Sequence, residues 1–161
     1  MKKVLLILFS FENLEQVIKH TFRLLNSKDK LYVTGFIEEE IPDSLNHLIS
    51  DIGFLGKKVT DDVEETIVNE YQDRAEKNLD DIDKQGEDIK AEVDVELLPK
   101  EKLSKLKRKL RQGKFDHLII NYTNDEFISE EVLVYPLEEL LQEINIPYQL
   151  YYDGKLNQDE T

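Results

Sequence analysis

The chain alternates between short apolar runs, which are typical of buried strands, and apolar positions at helical spacing, which are typical of amphipathic helices. Five strands are predicted in this way, at residues 3–9, 31–37, 89–97, 115–121 and 146–152. Helices are predicted between them, at residues 14–28, 60–86, 99–113 and 133–144. Strands that alternate with helices of this length predict an α/β domain with a parallel, doubly wound sheet and helices on both faces.

The first and third predicted strands differ in pattern. Residues 3–9 are apolar with almost no interruption, as expected for a strand covered on both faces. Two lysines precede this run, so a signal peptide is an alternative, but the run is short and no small-residue cleavage site follows. Residues 89–97 alternate between apolar and charged side chains, which predicts one wet face and therefore an edge strand. No apolar run approaches the ~20 residues needed to span a bilayer.

Residues 38–58 form a long excursion between the second strand and the second helix, with no clear period. Several of its side chains are large and apolar, and they are too many for a fully solvated loop. They are Ile49, Ile52, Phe54 and Leu55. We predict that these side chains pack over the carboxyl end of the sheet or against a partner subunit.

The composition favours a single soluble domain. A length of 161 residues fits one domain, which we place at residues 1–153, followed by a polar tail at residues 154–161. The formal net charge of −14 disfavours nucleic acid and anionic membrane surfaces as partners. The chain has no cysteine, which excludes disulfides, thiolate nucleophiles and thiolate metal sites and fits a cytoplasmic location.

Three stretches carry a resemblance to a known family. They are KVLLILFSFENLEQVIKH at residues 3–20, LYVTGFIEE at residues 31–39, and FDHLIIN followed by a loop, a helix and INIPYQLYY at residues 115–152. In order and spacing, including Pro147 before the last strand, they resemble the universal stress protein family. The resemblance implies five parallel strands in the order 3-2-1-4-5, and it implies a role in stress response.

Two positions depart from the ATP-binding branch of that family. The branch carries glycines after the fourth strand in the pattern Gly-x2-Gly-x9-Gly-Ser/Thr, whereas residues 121–136 contain none. Without glycine, the backbone cannot approach a phosphate closely. The branch also has an aspartate at the end of the first strand, where Phe9 stands here. The chain thus resembles the branch that does not bind ATP, and we expect no cofactor, no enzymatic activity and a role in binding.

The alternative is a small-molecule or nucleotide-binding protein with a non-standard pocket. Such a pocket would use aromatic stacking in place of backbone contacts to phosphate. Its candidate residues follow the ends of the strands: Ser10, Phe36, Asn121, Tyr122, Thr123 and Tyr135. An enzyme on the same fold is a third possibility, because fold alone does not determine function.

The last predicted strand is the candidate dimer interface. It has no charge and is rich in tyrosine, whereas exposed edge strands usually carry charge or another blocking feature. In the family that the chain resembles, the final strands of two subunits commonly pair across a two-fold axis. We therefore predict a homodimer in which this strand pairs with its copy. The residues are Tyr148, Gln149, Leu150, Tyr151 and Tyr152.

Charged and titratable residues suggest no further chemistry. The basic stretch at residues 100–114 fits either a site for an anion or an acidic partner, or the solvated face of an amphipathic helix. The acidic residues of the long second helix lack the pattern of a calcium loop. His20, His47 and His117 form no metal pair at helical spacing, so no metal site is expected. No serine lies in a nucleophile elbow. The acidic residues of a response-regulator receiver are absent after strands one and three.

Overall fold

The computed structural model describes residues 1–37, 51–99, 102–122, 139 and 141–160. Its strands are β1 Lys3–Leu8, β2 Lys30–Ile37, β3 Glu92–Pro99, β4 His117–Tyr122, β5 Tyr148–Tyr152 and β6 Lys155–Glu160. Its α-helices are α1 Glu15–Arg23, α2 Lys57–Asp88 and α3 Leu103–Gln112, and a 3-10 turn at Gly53–Leu55 precedes α2. The fourth predicted helix lies largely outside the described residues.

The strands form one six-stranded sheet in the order β3-β2-β1-β4-β5-β6. The first five strands are parallel, which confirms the predicted α/β class and the order 3-2-1-4-5. The sixth strand runs antiparallel to β5 and was not predicted. The polar tail expected at residues 154–161 is therefore corrected, because residues 155–160 extend the sheet.

A two-residue turn creates this sixth strand. Tyr152 pairs with Lys155, and the residues between them, Asp153 and Gly154, both have positive φ angles of 49° and 79°. Asp-Gly is the preferred pair where both central residues of a hairpin turn need positive φ, because this turn matches the twist of the two strands. The sequence therefore contained the signal for the hairpin.

Strand β1 lies at the centre of the sheet and is covered on both faces. Every residue from Val4 to Leu8 is inaccessible to solvent. Alternate residues of β1 belong to two different apolar clusters. One cluster includes Leu106 and Leu110 of α3, and the other includes Val17 of α1 and Leu79 of α2. The predicted role of residues 3–9 as a buried strand is confirmed.

Strand β3 forms one end of the sheet, as its alternating pattern predicts. Its charged residues pair with neighbouring elements. Glu92 lies 3.0 Å from Lys30, and Glu96 lies 3.5 Å from Lys105 and 3.2 Å from Lys109. Two lysines of the basic helix α3 are thus paired with the sheet edge inside the chain, which leaves them less available to an acidic partner.

The fully buried residues of the long helix α2 all lie in its second half. Its buried residues are Ala75, Leu79, Ile82 and Gly86. A Cβ atom added at Gly86 would lie 2.0 Å from the Val93 side chain, so glycine allows the helix to approach β3 closely. Gly86 lies in the last turn, and the helix ends at Asp88.

Two of the apolar residues before α2, Phe54 and Leu55, are exposed and do not pack over the sheet, whereas Ile52 is half-buried. Phe54 is 84% exposed and Leu55 is 52% exposed. For these two residues, the predicted packing over the carboxyl end of the sheet is wrong, and contact with a partner subunit is the alternative that remains. Ile49 lies outside the described residues.

Asp29 secures the corner where β1 and β2 begin. Its Oδ1 atom accepts a hydrogen bond from the Lys2 backbone N–H and its Oδ2 atom accepts one from the Asn26 backbone N–H, both at 2.8 Å. These two bonds lower the pKa of the Asp29 carboxyl below its ordinary value. The carboxylate therefore stays ionised and joins the N-terminus to the turn before β2.

In the described part of the chain, no helix is long and apolar enough to cross a membrane.

Candidate functional site

Ligands of open parallel sheets bind outside the carboxyl ends of the strands, where the chain order reverses direction. Here the order reverses between β1 and β4, which are neighbours although β2 and β3 separate them in sequence. The residues at this position are Phe9 and Ser10 after β1, and Asn121 and Tyr122 at the end of β4. Three of these four were predicted as pocket residues.

Asn121 has no solvent-accessible surface, and its amide is bonded at both ends within the chain. The Nδ2 atom donates to the Ser10 carbonyl oxygen at 3.3 Å, and the Oδ1 atom accepts from the Gly154 backbone N–H at 3.1 Å. The Asn121 carbonyl oxygen also accepts from the Phe9 N–H at 2.9 Å. One side chain therefore joins the end of β1 to the β5–β6 turn.

A second contact reinforces this connection. The Asn13 Nδ2 atom donates to the Asp153 Oδ1 atom at 2.7 Å. The Cα atom of Gly154 lies so close to the Asn13 backbone that an added Cβ atom would be 2.0 Å from its carbonyl oxygen. We call the five residues that close the carboxyl end of β4 the Asn121 seam. They are Ser10, Asn13, Asn121, Asp153 and Gly154.

The loop after β1 is held from two further directions. The Ser10 hydroxyl accepts a hydrogen bond from the Glu12 N–H at 3.2 Å. The Glu12 carboxylate in turn accepts one from the Arg74 guanidinium of α2 at 3.0 Å. The Ser10 hydroxyl is therefore engaged in a local turn, and Ser10 is almost fully buried.

The aromatic residues at this end of the sheet pack on one another. The rings of Phe9 and Phe36 are stacked with centroids 5.3 Å apart, and both side chains are fully buried. The Tyr122 ring meets the Tyr152 ring edge to face at 5.3 Å. The Tyr122 hydroxyl accepts a hydrogen bond from Asn157 Nδ2 of β6 at 3.0 Å. The hairpin thus covers the tyrosine that was predicted to stack on a ligand.

The predicted pocket residues do not line a common pocket among the described residues. Ser10 and Asn121 come together, but through a hydrogen bond inside the protein. Phe36 and Tyr122 belong to the apolar cluster that also contains Phe9. Thr123 and Tyr135 lie outside the described residues. Sequence reasoning missed Asn13, Asp153 and Gly154, although the Asp-Gly pair after a predicted strand was a usable signal.

Two open grooves lie away from the carboxyl end of the sheet. One is formed between α1 and the end of α2, and its lining residues are Glu15, Ile18, Lys19, Phe22, Arg23 and Gln85. The other follows the first half of α2. Its lining residues are Val59, Asp62, Val63, Thr66 and Ile67.

No protein-family model matches the sequence, and no curated protein matches it either. Solved structures do match, and one of them shares the α/β fold of this chain over most of its length. One is hypothetical protein MJ0577, the subject of a structure-based assignment of biochemical function. Its sequence is 16% identical to this chain and the TM-score is 0.57. The structural alignment covers 94% of this chain and 95% of that protein. Hypothetical protein PH0823 is 12% identical to this chain, with a TM-score of 0.45. The alignment covers 98% of this chain and 99% of that protein. At these identities the likeness shows the fold alone.

Proposed function

We propose that this chain is a non-catalytic universal-stress-protein-like module that acts by binding a protein partner in a stress response. The observation that carries the proposal is the Asn121 seam. The position where this fold class offers a ligand site is bridged by the amide of Asn121, which uses both its polar atoms on the chain itself.

A nucleotide at this position would have to displace the seam. Breaking it would leave the buried Asn121 amide without its bonds to Ser10 and Gly154, and each buried polar group left unsatisfied costs about 1–3 kcal/mol. The phosphates would gain little in return, since no glycine occurs at residues 121–136 to bring backbone N–H groups close. Catalysis on a nucleotide is therefore disfavoured on two independent grounds.

We expect ATP to bind this protein no more tightly than about 1 mM, which corresponds to roughly 4 kcal/mol. Isothermal titration calorimetry of the full chain with ATP and Mg²⁺ measures this directly. A universal stress protein that carries the glycine pattern serves as the positive control under the same conditions. Micromolar binding that ADP competes away would overturn the proposal.

The aromatic-pocket alternative stays a hypothesis with its own test. Phe36 and Tyr122 already stack on neighbouring rings, so a ligand would have to replace those contacts. Mass spectrometry of small molecules released from the purified protein by gentle denaturation would detect such a ligand. An aromatic compound recovered at one equivalent per chain would favour this alternative over a protein partner.

The interface predicted for a homodimer needs correction. Strand β5 is not an edge, because β6 covers it. Tyr148, Leu150 and Tyr152 pack in one apolar cluster, and Gln149 and Tyr151 are only 5% and 4% exposed. Strand β6 contains Lys155, Asp159 and Glu160, and charge of this kind discourages pairing at a sheet edge.

The apolar residues that precede and begin α2 offer a different dimer surface. Phe54, Leu55 and Val59 are all exposed, and we call them the apolar patch. The patch continues into the groove lined by Val63 and Ile67. An exposed apolar surface of this kind marks an interaction site. In our proposal, two copies pair through the apolar patch across a two-fold axis, so that each patch covers the other.

Replacing Leu55 with aspartate should weaken the dimer about ten-fold or more, because a charge would be buried in the centre of the contact. Leu156→Asp is the matched control, since Leu55 and Leu156 are exposed to nearly the same extent, 52% and 51%. Analytical ultracentrifugation at micromolar concentration gives the association constants. A monomeric wild-type protein removes the dimer, and loss of the dimer in Leu156→Asp alone would move the interface to β6.

A further inference from the structure

Two of the three histidines meet at one glutamine. The His20 Nε2 atom lies 2.6 Å from the Gln149 Oε1 atom, and the His117 Nε2 atom lies 3.2 Å from the same oxygen. His20 belongs to α1, His117 opens β4 and Gln149 belongs to β5. Three separate elements therefore direct two imidazole nitrogens at one amide oxygen. The spacing of the histidines in sequence could not reveal this, because the sheet brings them together.

The surroundings hold these groups in place while leaving them reachable. Gln149 is almost fully buried, whereas both histidines are partly exposed. The His20 ring lies 5.8 Å from the Tyr151 ring, which restricts its rotation. His117 is held by the backbone of β4, which pairs with β1 on one side and β5 on the other. Packed elements therefore hold the three groups in place, and each histidine keeps part of its surface exposed to solvent.

Two of the three separations between these atoms are close to those between the ligands of a metal ion. Imidazole nitrogens and oxygen ligands bind zinc at about 2.0–2.2 Å, so tetrahedral ligands lie about 3.3 Å apart. The observed separations of 2.6 and 3.2 Å need only a small outward movement of the Gln149 oxygen. In the hydrogen-bonded arrangement, each Nε2 atom would donate its hydrogen to that oxygen. To bind a metal through Nε2, a neutral imidazole would carry its hydrogen on Nδ1 instead.

We propose that His20, His117 and the Gln149 Oε1 atom form a binding site for a transition-metal ion of the zinc, copper or nickel class, with water completing the coordination. Imidazole suits these ions, whereas magnesium and calcium prefer oxygen ligands. Within the described residues, no group of three His, Cys, Asp or Glu side chains could hold a metal. This site differs because its third ligand is an amide oxygen.

Equilibrium titration of the full chain with Zn²⁺ tests the proposal. We expect one equivalent to bind, and we expect His20→Ala and His117→Ala each to weaken that binding about ten-fold or more. His47→Ala is the matched control and should leave the affinity unchanged. Titration with Mg²⁺ controls for cations that the acidic surface attracts, since Mg²⁺ should not compete with Zn²⁺.

A gain of affinity separates a ligand role from a purely structural role. Gln149→Glu places a carboxylate oxygen at the same position and should tighten Zn²⁺ binding about ten-fold, which misfolding could not produce. With Cu²⁺, electron paramagnetic resonance should show splitting from two nitrogens in the wild-type protein and from one in each histidine variant. The proposal is overturned if Zn²⁺ does not bind, if the histidine variants bind as tightly as the wild type, or if Gln149→Glu gains nothing.

Discussion

Replacing Gly154 with alanine is expected to lower the free energy of unfolding by about 2–4 kcal/mol, as a sum of two costs. The φ angle of 79° lies in the left-handed region, which penalises any residue with a Cβ atom. The added Cβ atom would also lie 2.0 Å from the carbonyl oxygen of Asn13. Because that oxygen belongs to the backbone, the seam has to open, and the bond from the Gly154 N–H to Asn121 is lost.

Gly53→Ala is the matched control for this substitution. Gly53 has no positive φ angle, and an added Cβ atom would meet nothing within 4 Å. We expect a change within about 0.5 kcal/mol. Urea unfolding followed by circular dichroism measures both variants. If Gly154→Ala were as stable as Gly53→Ala, the β5–β6 turn would not be held against the loop after β1.

Replacing Phe9 with alanine should lower the free energy of unfolding by about 3–5 kcal/mol. Phe9 is 1% exposed, and its ring stacks on Phe36 in the core cluster beneath α3. Removal of the ring leaves a cavity that the surrounding strands cannot fill. A loss of this size would show that the Phe9 ring is part of the hydrophobic core. In the ATP-binding branch of the family that the chain resembles, an aspartate stands at this position.

Phe54→Ala makes the same change at an exposed position. Phe54 is 84% exposed, so in the monomer we expect its replacement to alter stability by no more than about 0.5 kcal/mol. Unfolding experiments at low protein concentration keep any dimer contribution small. Similar losses at Phe9 and Phe54 would mean that Phe9 borders an open crevice, which would revive the pocket hypothesis.

The parallel part of the fold could be predicted because its signals are local. The strand at residues 3–9 is apolar on both faces and must be covered on both, which predicts a central strand. The strand at residues 89–97 is apolar on one face only, which predicts an edge strand. The sixth strand was missed for a different reason. All residues of Lys155–Glu160 except Leu156 are polar, and only the Asp153-Gly154 turn indicates that the chain folds back.

The candidate site was harder to predict because it depends on contacts between distant segments. The absence of glycine at residues 121–136 is visible in the sequence, but the bond from Asn121 to Gly154 depends on the hairpin. The His20–Gln149–His117 cluster likewise requires the register of β4 and β5, which pairs Ile119 with Gln149. The dimer edge was misplaced by the same omission, because an unpredicted sixth strand covers the strand that was taken as the edge.

Amide hydrogen exchange at Gly154 tests the closed carboxyl end of β4 most directly. The Gly154 N–H donates to a fully buried side chain, so it should exchange as slowly as the amides inside β4, and an excess of ATP should leave its rate unchanged. The measurement is a residue-resolved exchange experiment by nuclear magnetic resonance. Exchange at the rate of a solvated turn, or a marked slowing when ATP is added, would contradict the account.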